Sequence, residues 1–221
     1  MKVSIIVPTL NRPRLLEKLI ANVRSTTLSD YYELIVLVED GDTETWNFIN
    51  KTPLPATIKI FAIPTGSSPI AAWNIGLKKS LAPWILLAAD DIEFPSLWLE
   101  DALSTPNQGF LALPEKEGGN PTLNWEPHFM ATRAWLKEFQ HGVLTIPHYR
   151  HWGTDVETCD RATRSNTFIR ARTIIVHHHW MKDASLIDST YQNAQKFYNR
   201  DIMLYQTRKS MGFPNDFESV I

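Results

Sequence analysis

Short apolar runs alternate along the first half of the chain with segments whose apolar residues recur every three or four positions. Val3–Val7 (VSIIV), Glu33–Val38 (ELIVLV), Thr57–Ile63 (TIKIFAI) and Trp84–Ala89 (WILLAA) read as four strands. Three helical patterns lie between them. Asn11 is placed to cap the first helix and Pro13 suits its opening turn. Leu15, Leu16, Leu19, Ile20 and Val23 then fall on one face. A polar, acidic helix is expected over Thr43–Asn50. In the third helix Ser68 caps, Pro69 starts, and Ile70, Trp73, Ile75, Leu77 and Leu81 follow.

Strands alternating with helices predict a parallel sheet wrapped by helices. Both faces of such a sheet are covered, so its strands carry continuous apolar runs. Ligands of open α/β sheets bind beyond the carboxyl ends of the strands. Pro8 and Thr9 follow strand one, Asp40 ends strand two, and Asp90 and Asp91 end strand four, so all five converge on one rim.

After Phe94 the pattern is mixed. A short helix is expected over Pro95–Leu103, a strand-like run at Gly109–Leu113 (GFLAL) and a turn at Glu117–Pro121 (EGGNP). A segment LNWEPHFMAT, a helix near Arg133–Phe139 and a polar helix near Asp155–Arg164 follow. A long strand, Asn166–His178 (NTFIRARTIIVHH), and a terminal helix over about Asp188–Arg208 complete the reading. This half is an α+β extension of the parallel half.

The 221 residues are ample for one domain with a sizeable core. A formal charge of −2 gives no bulk attraction to nucleic acid or an anionic membrane. The single cysteine, Cys159, excludes an internal disulfide and fits a reducing compartment, so a cytoplasmic location is expected. No apolar stretch approaches the roughly 20 residues of a membrane span, and no stable membrane insertion is expected. Of eight tryptophans, Trp125, Trp152 and Trp180 lie in the second half, where stacking on a sugar face is one role and packing another.

Adjacent carboxylates at a strand end repel each other and are desolvated by the strand. A metal, an arginine or backbone N–H groups must compensate them. Mg²⁺ or Mn²⁺ held by one or two carboxylates plus substrate phosphates meets that need, while Asp91 could instead cap the turn before Pro95. In His177–His179 strand alternation puts His177 and His179 on one face and His178 on the other. Such imidazoles could complete an acidic metal site, contact a phosphate, or simply end a solvated strand. In His151–Arg164 (HWGTDVETCDRATR) either Thr154 or Asp155 could cap a helix, or Asp155 could project into the cleft as a general base.

Four segments in order resemble the nucleotide-sugar-dependent glycosyltransferases of family 2, with the GT-A fold. They are VSIIVPTLNRPRLLEKLIANV, YELIVLVEDGD, SPIAAWNIGLKKSLAPWILLAADDIEFP with its Ala-x-Asn-x-Gly pattern, and GTDVETCDRA. The resemblance covers residues 1–100 well and 150–180 moderately. It implies a GT-A, Rossmann-like architecture in one domain, with residues 1–103 as the nucleotide-binding half and 104–221 as the acceptor-binding half. It implies that Asp40 binds the base edge while Pro8, Thr9 and Asn11 line the nucleotide pocket. Asp90 and Asp91 contact the ribose and the metal, Asp91 being assigned to the metal together with His177 or His179. Asp155 is the catalytic base, Mn²⁺ or Mg²⁺ the cofactor, and the reaction a single inverting displacement. The donor is a nucleotide-diphosphate sugar, and the acceptor a glycan, a lipid-linked saccharide, a protein or a nucleic-acid base. The chain departs from the family pattern twice. Ala88 stands where the family often has a first Asp, and Thr154 where it has a Glu before the base.

Two other readings share the fold. A nucleotidyltransferase would want a glycine-rich basic loop near the N-terminus, and PTLNRPR has arginines but no glycine. A non-catalytic nucleotide- or sugar-binding module would not need acids at 40, 90, 91 and 155.

Overall fold

The computed structural model describes residues 1–116, 123–178 and 188–221. The first half follows its apolar pattern closely. In chain order it forms β1 (Val3–Thr9), α1 (Pro13–Thr26), β2 (Tyr32–Glu39), α2 (Thr43–Lys51), β3 (Ile58–Ile63), α3 (Pro69–Lys79) and β4 (Trp84–Leu87). The second half supplies β5 (Ile92–Glu93), α4 (Trp98–Leu103), β6 (Phe110–Ala112), β7 (Phe129–Thr132), α5 (Arg133–Phe139), α6 (Thr154–Arg164), β8 (Val176–His177), α7 (Ser189–Gln195) and α8 (Tyr198–Ser210).

The main sheet has six strands in the order β3-β2-β1-β4-β7-β6. β1 pairs in parallel with β2 and β4, β2 pairs in parallel with β3, and β7 runs antiparallel to both β4 and β6. Strand order therefore reverses between β1 and β4, which opens a crevice at their carboxyl ends. Both faces are covered. Ile5, Val7, Leu34, Val36 and Leu86 pack in one layer with Leu16, Leu19 and Val23 of α1. Ile6, Ile35, Leu37, Ile85 and Leu87 pack in the other with Ala72 and Leu77 of α3.

α3 lies close against the sheet and ties its two halves together. A Cβ on Gly76 would sit 2.3 Å from Cγ2 of Ile6 and 3.0 Å from Cδ2 of Leu37, so only glycine fits there. Two residues earlier, buried Asn74 donates to the carbonyl of Thr145 at 2.7 Å and accepts from the N–H groups of Leu144 and Thr145. The Ala-x-Asn-x-Gly pattern is thus a packing and clamping device. Trp73 between them donates its indole N–H to the carbonyls of Ile6 and Ala88, at 3.2 and 3.0 Å, bridging the point where β1 and β4 part.

The structure corrects three expectations. Asn11 does not cap α1: it adopts a left-handed conformation (φ 55°), its N–H goes to Asp42 Oδ2, and Arg12 occupies the cap position without a side-chain bond. The segment from Asn166 to His178 is not one long strand. It bridges Ala112 at Arg170 and Glu115 at Ile175, advancing five positions while its partner advances three. Pro114 in that partner has no N–H to donate, so the ladder breaks, and only Val176–His177 is regular, paired with β5. The terminal helix is two helices. Asp188 caps α7 by accepting from Tyr191 N–H, and the break comes where the Trp152 indole takes the carbonyl of Ala194 and its ring meets Tyr198 edge-on.

Gly76→Ala should be destabilising. Overpacking costs about 1–3 kcal/mol against a helix-propensity gain of at most ~1 kcal/mol. Urea denaturation should show a lower midpoint, and the melting temperature should fall about 2–4 °C per kcal/mol lost. An unchanged midpoint would mean that α3 does not press on β1 as described.

Candidate active site

Asp90 and Asp91 lie at the carboxyl end of β4, each 4% exposed. Asp90 uses both oxygens: Oδ2 accepts from the Thr9 hydroxyl at 2.8 Å and Oδ1 from Arg12 Nη1 at 3.0 Å. Arg12 is the cation that compensates the pair, with the same Nη1 4.0 Å from Asp91 Oδ2. Its Nε and Nη2 also bond both oxygens of Asp188, at 2.6 and 2.9 Å, and its guanidinium lies over the Tyr191 ring. The Tyr191 hydroxyl donates to Asp91 Oδ2. Burial and the charge of Asp91 push Asp90 up to about 6 against the pull of Arg12. For Asp91 burial also works against the charge, but the bonds from His177 and Tyr191 prevail and hold it down at about 2.

β8 brings His177 to the pair. The ribbon β5–β8 sets His177 opposite Ile92, the residue after Asp91, and the N–H of His178 donates to the carbonyl of Asp91. His177 Nε2 stands 3.3 Å from Asp91 Oδ1 and its Nδ1 2.9 Å from Glu115 Oε1. Those two carboxylates overcome the effect of burial and raise the imidazole to about 9. His128 Nδ1 meets the same Glu115 oxygen at 3.3 Å. His178 points away to Glu93 and is exposed, as alternation requires. His179 lies outside the described residues, as does Trp180.

The donor set fits a divalent cation. Asp91 Oδ1 is buried and meets only the His177 ion pair among the described residues, at a spacing close to the ~3 Å between neighbouring ligands of one small ion. Glu115, His128 and His177 also hold ligand atoms within 4.8 Å of one another. Among the described residues one guanidinium, Arg12, serves the carboxylates of Asp90, Asp91 and Asp188, and one imidazole, His177, is shared by Asp91 and Glu115, so the acidic cluster carries more negative than positive charge.

Asp155 lies in the first turn of α6. Neither it nor Thr154 is the cap, a position taken by Gly153, whose φ of 84° suits glycine. Thr154 instead accepts the Ile146 N–H through its hydroxyl at 2.8 Å, on the loop that Asn74 clamps. Fully buried Asp201 accepts the N–H groups of Arg150, His151 and Trp152, fixing the approach to α6. Buried Glu157 bonds Tyr149, Arg161 and Arg208, locking α6 to α8. Asp155 Oδ2 accepts from Trp125 Nε1 at 2.8 Å. Burial raises its pKa above the ordinary carboxylate value, and the Trp125 bond opposes that rise.

The other rim residues sit apart from this cluster. Asp40 is exposed at the end of β2 with its N–H on the carbonyl of Ile63. It is Asp42 that caps α2 and receives Asn11. Pro8 is half-buried opposite Leu37. Sequence reasoning passed over Arg12, Glu115, His128, Tyr191 and Asp188. Arg12 alone had a local signal: buried adjacent carboxylates need a cation, and an arginine stands three residues beyond Thr9.

The sequence model of Glycosyl transferase family 2 matches residues 4–170, so the chain belongs to that family. Solved structures agree on the fold. The mannosyltransferase PcManGT from Pyrobaculum calidifontis, in complex with GDP-Man and Mn²⁺, superposes with a TM-score of 0.61 at 16% identity, over 80% of this chain and 56% of that one. S. aureus TarS 1-349, in complex with UDP-GlcNAc, gives a TM-score of 0.61 at 18% identity with the same coverage. The chain thus spans little more than half the length of either. No curated protein matches it. These matches establish the GT-A architecture, a mostly parallel central sheet flanked by helices. No helix among the described residues is long and apolar enough to cross a membrane.

Arg12→Met should remove the cation from a buried pair and cost roughly 3–5 kcal/mol of unfolding free energy. Adding Asp90→Asn should recover part of that loss, because the charge left uncompensated is then gone. Denaturant titration of the two single variants and the double variant measures the coupling. Additive losses would show that Arg12 does not compensate Asp90.

Proposed function

We propose that the protein transfers a sugar from a nucleotide-diphosphate donor to a hydroxyl acceptor, with inversion and with the help of a divalent cation. The observation that carries this reading is the buried oxygen of Asp91 that pairs with His177 at the β1–β4 crevice, a carboxylate and an imidazole set side by side. Family membership supports the transferase class, and the sugar nucleotides held by PcManGT and TarS support the donor class.

In this proposal residues 1–103 bind the nucleotide. Asp40 takes the base edge, Pro8, Thr9 and Asn11 line the pocket, and Asp90 reaches the ribose. Asp91 and His177 hold Mn²⁺ or Mg²⁺, with His179 as a further candidate. When bound, the ion supplies Lewis-acid neutralisation of the diphosphate leaving group. Residues 104–221 take the acceptor, a glycan, a lipid-linked saccharide, a protein or a nucleic-acid base, with Trp125 and Trp152 available for stacking. The acceptor oxygen attacks the anomeric carbon, the bond to the diphosphate breaks, and the hydroxyl proton passes to the Asp155 carboxylate. One displacement from the opposite face inverts the configuration. Burial makes Asp155 a stronger base than a solvated aspartate, while the Trp125 N–H fixes its second oxygen.

A panel of nucleotide sugars, assayed for nucleoside diphosphate release with and without Mn²⁺, tests the reading. Release that requires the ion is expected for at least one donor. Binding without turnover would favour a non-catalytic module, and release of pyrophosphate from a nucleoside triphosphate a nucleotidyltransferase.

Asp155→Asn keeps the side-chain shape and an oxygen for Trp125 but removes the basicity. Turnover should fall about 10²–10⁴-fold, the usual contribution of a general base, with donor affinity and melting temperature little changed. Full transfer by this variant would remove Asp155 from the mechanism.

A further inference from the structure

His177 presents its two ring nitrogens to two different carboxylates, Nε2 to Asp91 at 3.3 Å and Nδ1 to Glu115 at 2.9 Å. We propose that Glu115, backed by His128, is a positioning residue that fixes the His177 ring and tautomer and thereby sets the affinity for a divalent cation at Asp91. This rests on the metal reading given under the proposed function.

An imidazole ligates through one nitrogen, and the hydrogen bond made by the other decides which nitrogen carries the proton. Metal-binding histidines commonly donate that second N–H to a carboxylate, which orients the ring and raises its basicity. Glu115 stands where that partner must be. Its bond to Nδ1 turns Nε2 toward Asp91 Oδ1, 3.3 Å away, so that an incoming cation displacing the Nε2 proton would meet that nitrogen and that oxygen together. The backbone fixes the position of His177 but not its ring, since β8 has two residues, paired with the two-residue β5, and the side chain can still turn about its own torsions.

Glu115 is itself braced. It lies just beyond β6, forms a bridge with Ile175, and the next N–H, of Lys116, donates to the carbonyl of Ile175 at 2.9 Å. The carboxylate and its histidine therefore ride on two segments that are bonded together next to the site. Its side chain is 4% exposed, so the carboxylate is not a solvated surface charge. His128, 3% exposed, approaches the same Oε1 at 3.3 Å and meets the His177 ring edge-on at a centroid distance of 4.8 Å. Rotation of Glu115 away from His177 would leave a buried carboxylate facing one imidazole instead of two.

The alternative is that Glu115 only neutralises two buried imidazoles. Glu115→Gln separates the two roles, since it keeps the length and an acceptor oxygen but loses the charge. The measurement is the dissociation constant for Mn²⁺ alone on the full chain, from the electron paramagnetic resonance signal of free Mn²⁺, beside the melting temperature. Binding should weaken about 10–100-fold in Glu115→Gln, the usual effect of removing a supporting carboxylate, and be lost in His177→Ala and Asp91→Asn. Glu115→Asp, which keeps the charge but shortens the reach, should also bind more weakly than wild type, and it carries the test if the glutamine variant does not fold.

The possible failures are distinct. If His177→Ala binds Mn²⁺ as wild type does, the metal reading itself falls. If His177→Ala loses the ion while both Glu115 variants keep full affinity, Glu115 is structural and the inference is overturned. If Glu115→Gln abolishes binding and Asp91→Asn does not, Glu115 is a ligand and the positioning role is overturned.

Discussion

Two carboxylates on neighbouring residues, both withdrawn from water, repel each other and lose their hydration. Left alone, each would cost several kcal/mol, against a total stability for a domain of about 5–15 kcal/mol. The fold around Asp90 and Asp91 answers that demand with groups from segments far apart in the chain. Thr9 and Arg12 come from the end of β1 and the start of α1, and His177 from β8. Tyr191 comes from α7 and bonds Asp91, while Asp188 beside it holds Arg12 in place. A polar requirement at the end of one strand thus ties the C-terminal helices to the parallel half.

The position of Asp155 is set by a relay of close contacts that begins in the sheet. Gly76 lets α3 press on Ile6, and this places Asn74 against the loop at Leu144 and Thr145. The same loop gives the Ile146 N–H to Thr154, which fixes the first residue of α6 and with it Asp155. Asp201 and Glu157 then secure that end of α6 from the side of α8. The departure from the family pattern at Thr154 acquires a physical meaning here. The hydroxyl of the residue before Asp155 is a structural acceptor pinned within the loop.

The parallel half was legible because its inner strands are buried on both faces, so their apolar runs are nearly continuous, while the edge strand β3 alternates, and the strand ends are marked by Pro8, Gly41 and the acid pair. In the second half the helices at Arg133–Phe139 and Thr154–Arg164 lie where their patterns put them, but the strands run two to four residues and depend on partners from distant segments, which the pattern does not show. Pro114 breaks a ladder that the alternation of Asn166–His178 had suggested. Asn11 has a capping side chain, but a left-handed backbone and the pull of Asp42 on its N–H exclude that role. Glu115 and His128 carry no local signal at all: their importance comes from His177, 62 positions along the chain from Glu115. Arg12 could have been found by asking which cation the acid pair requires.

Sequence spacing left the two aspartates equivalent, and the packing makes them different. Asp90 spends both oxygens on Thr9 and Arg12, so a ligand would have to break a bond to use it. Asp91 spends Oδ2 on Tyr191 and turns Oδ1 to the His177 imidazole. The protonation tendencies run the same way, since Asp90 is pushed toward its neutral form and Asp91 held ionised. Of the two, Asp91 is the one the proposed cation would use. Arg12 serves both aspartates but is also committed to Asp188. Its single charge, with that of His177 beside Asp91, offsets only part of the negative charge of Asp90, Asp91, Asp188 and Glu115, and the proposed divalent ion would complete the balance.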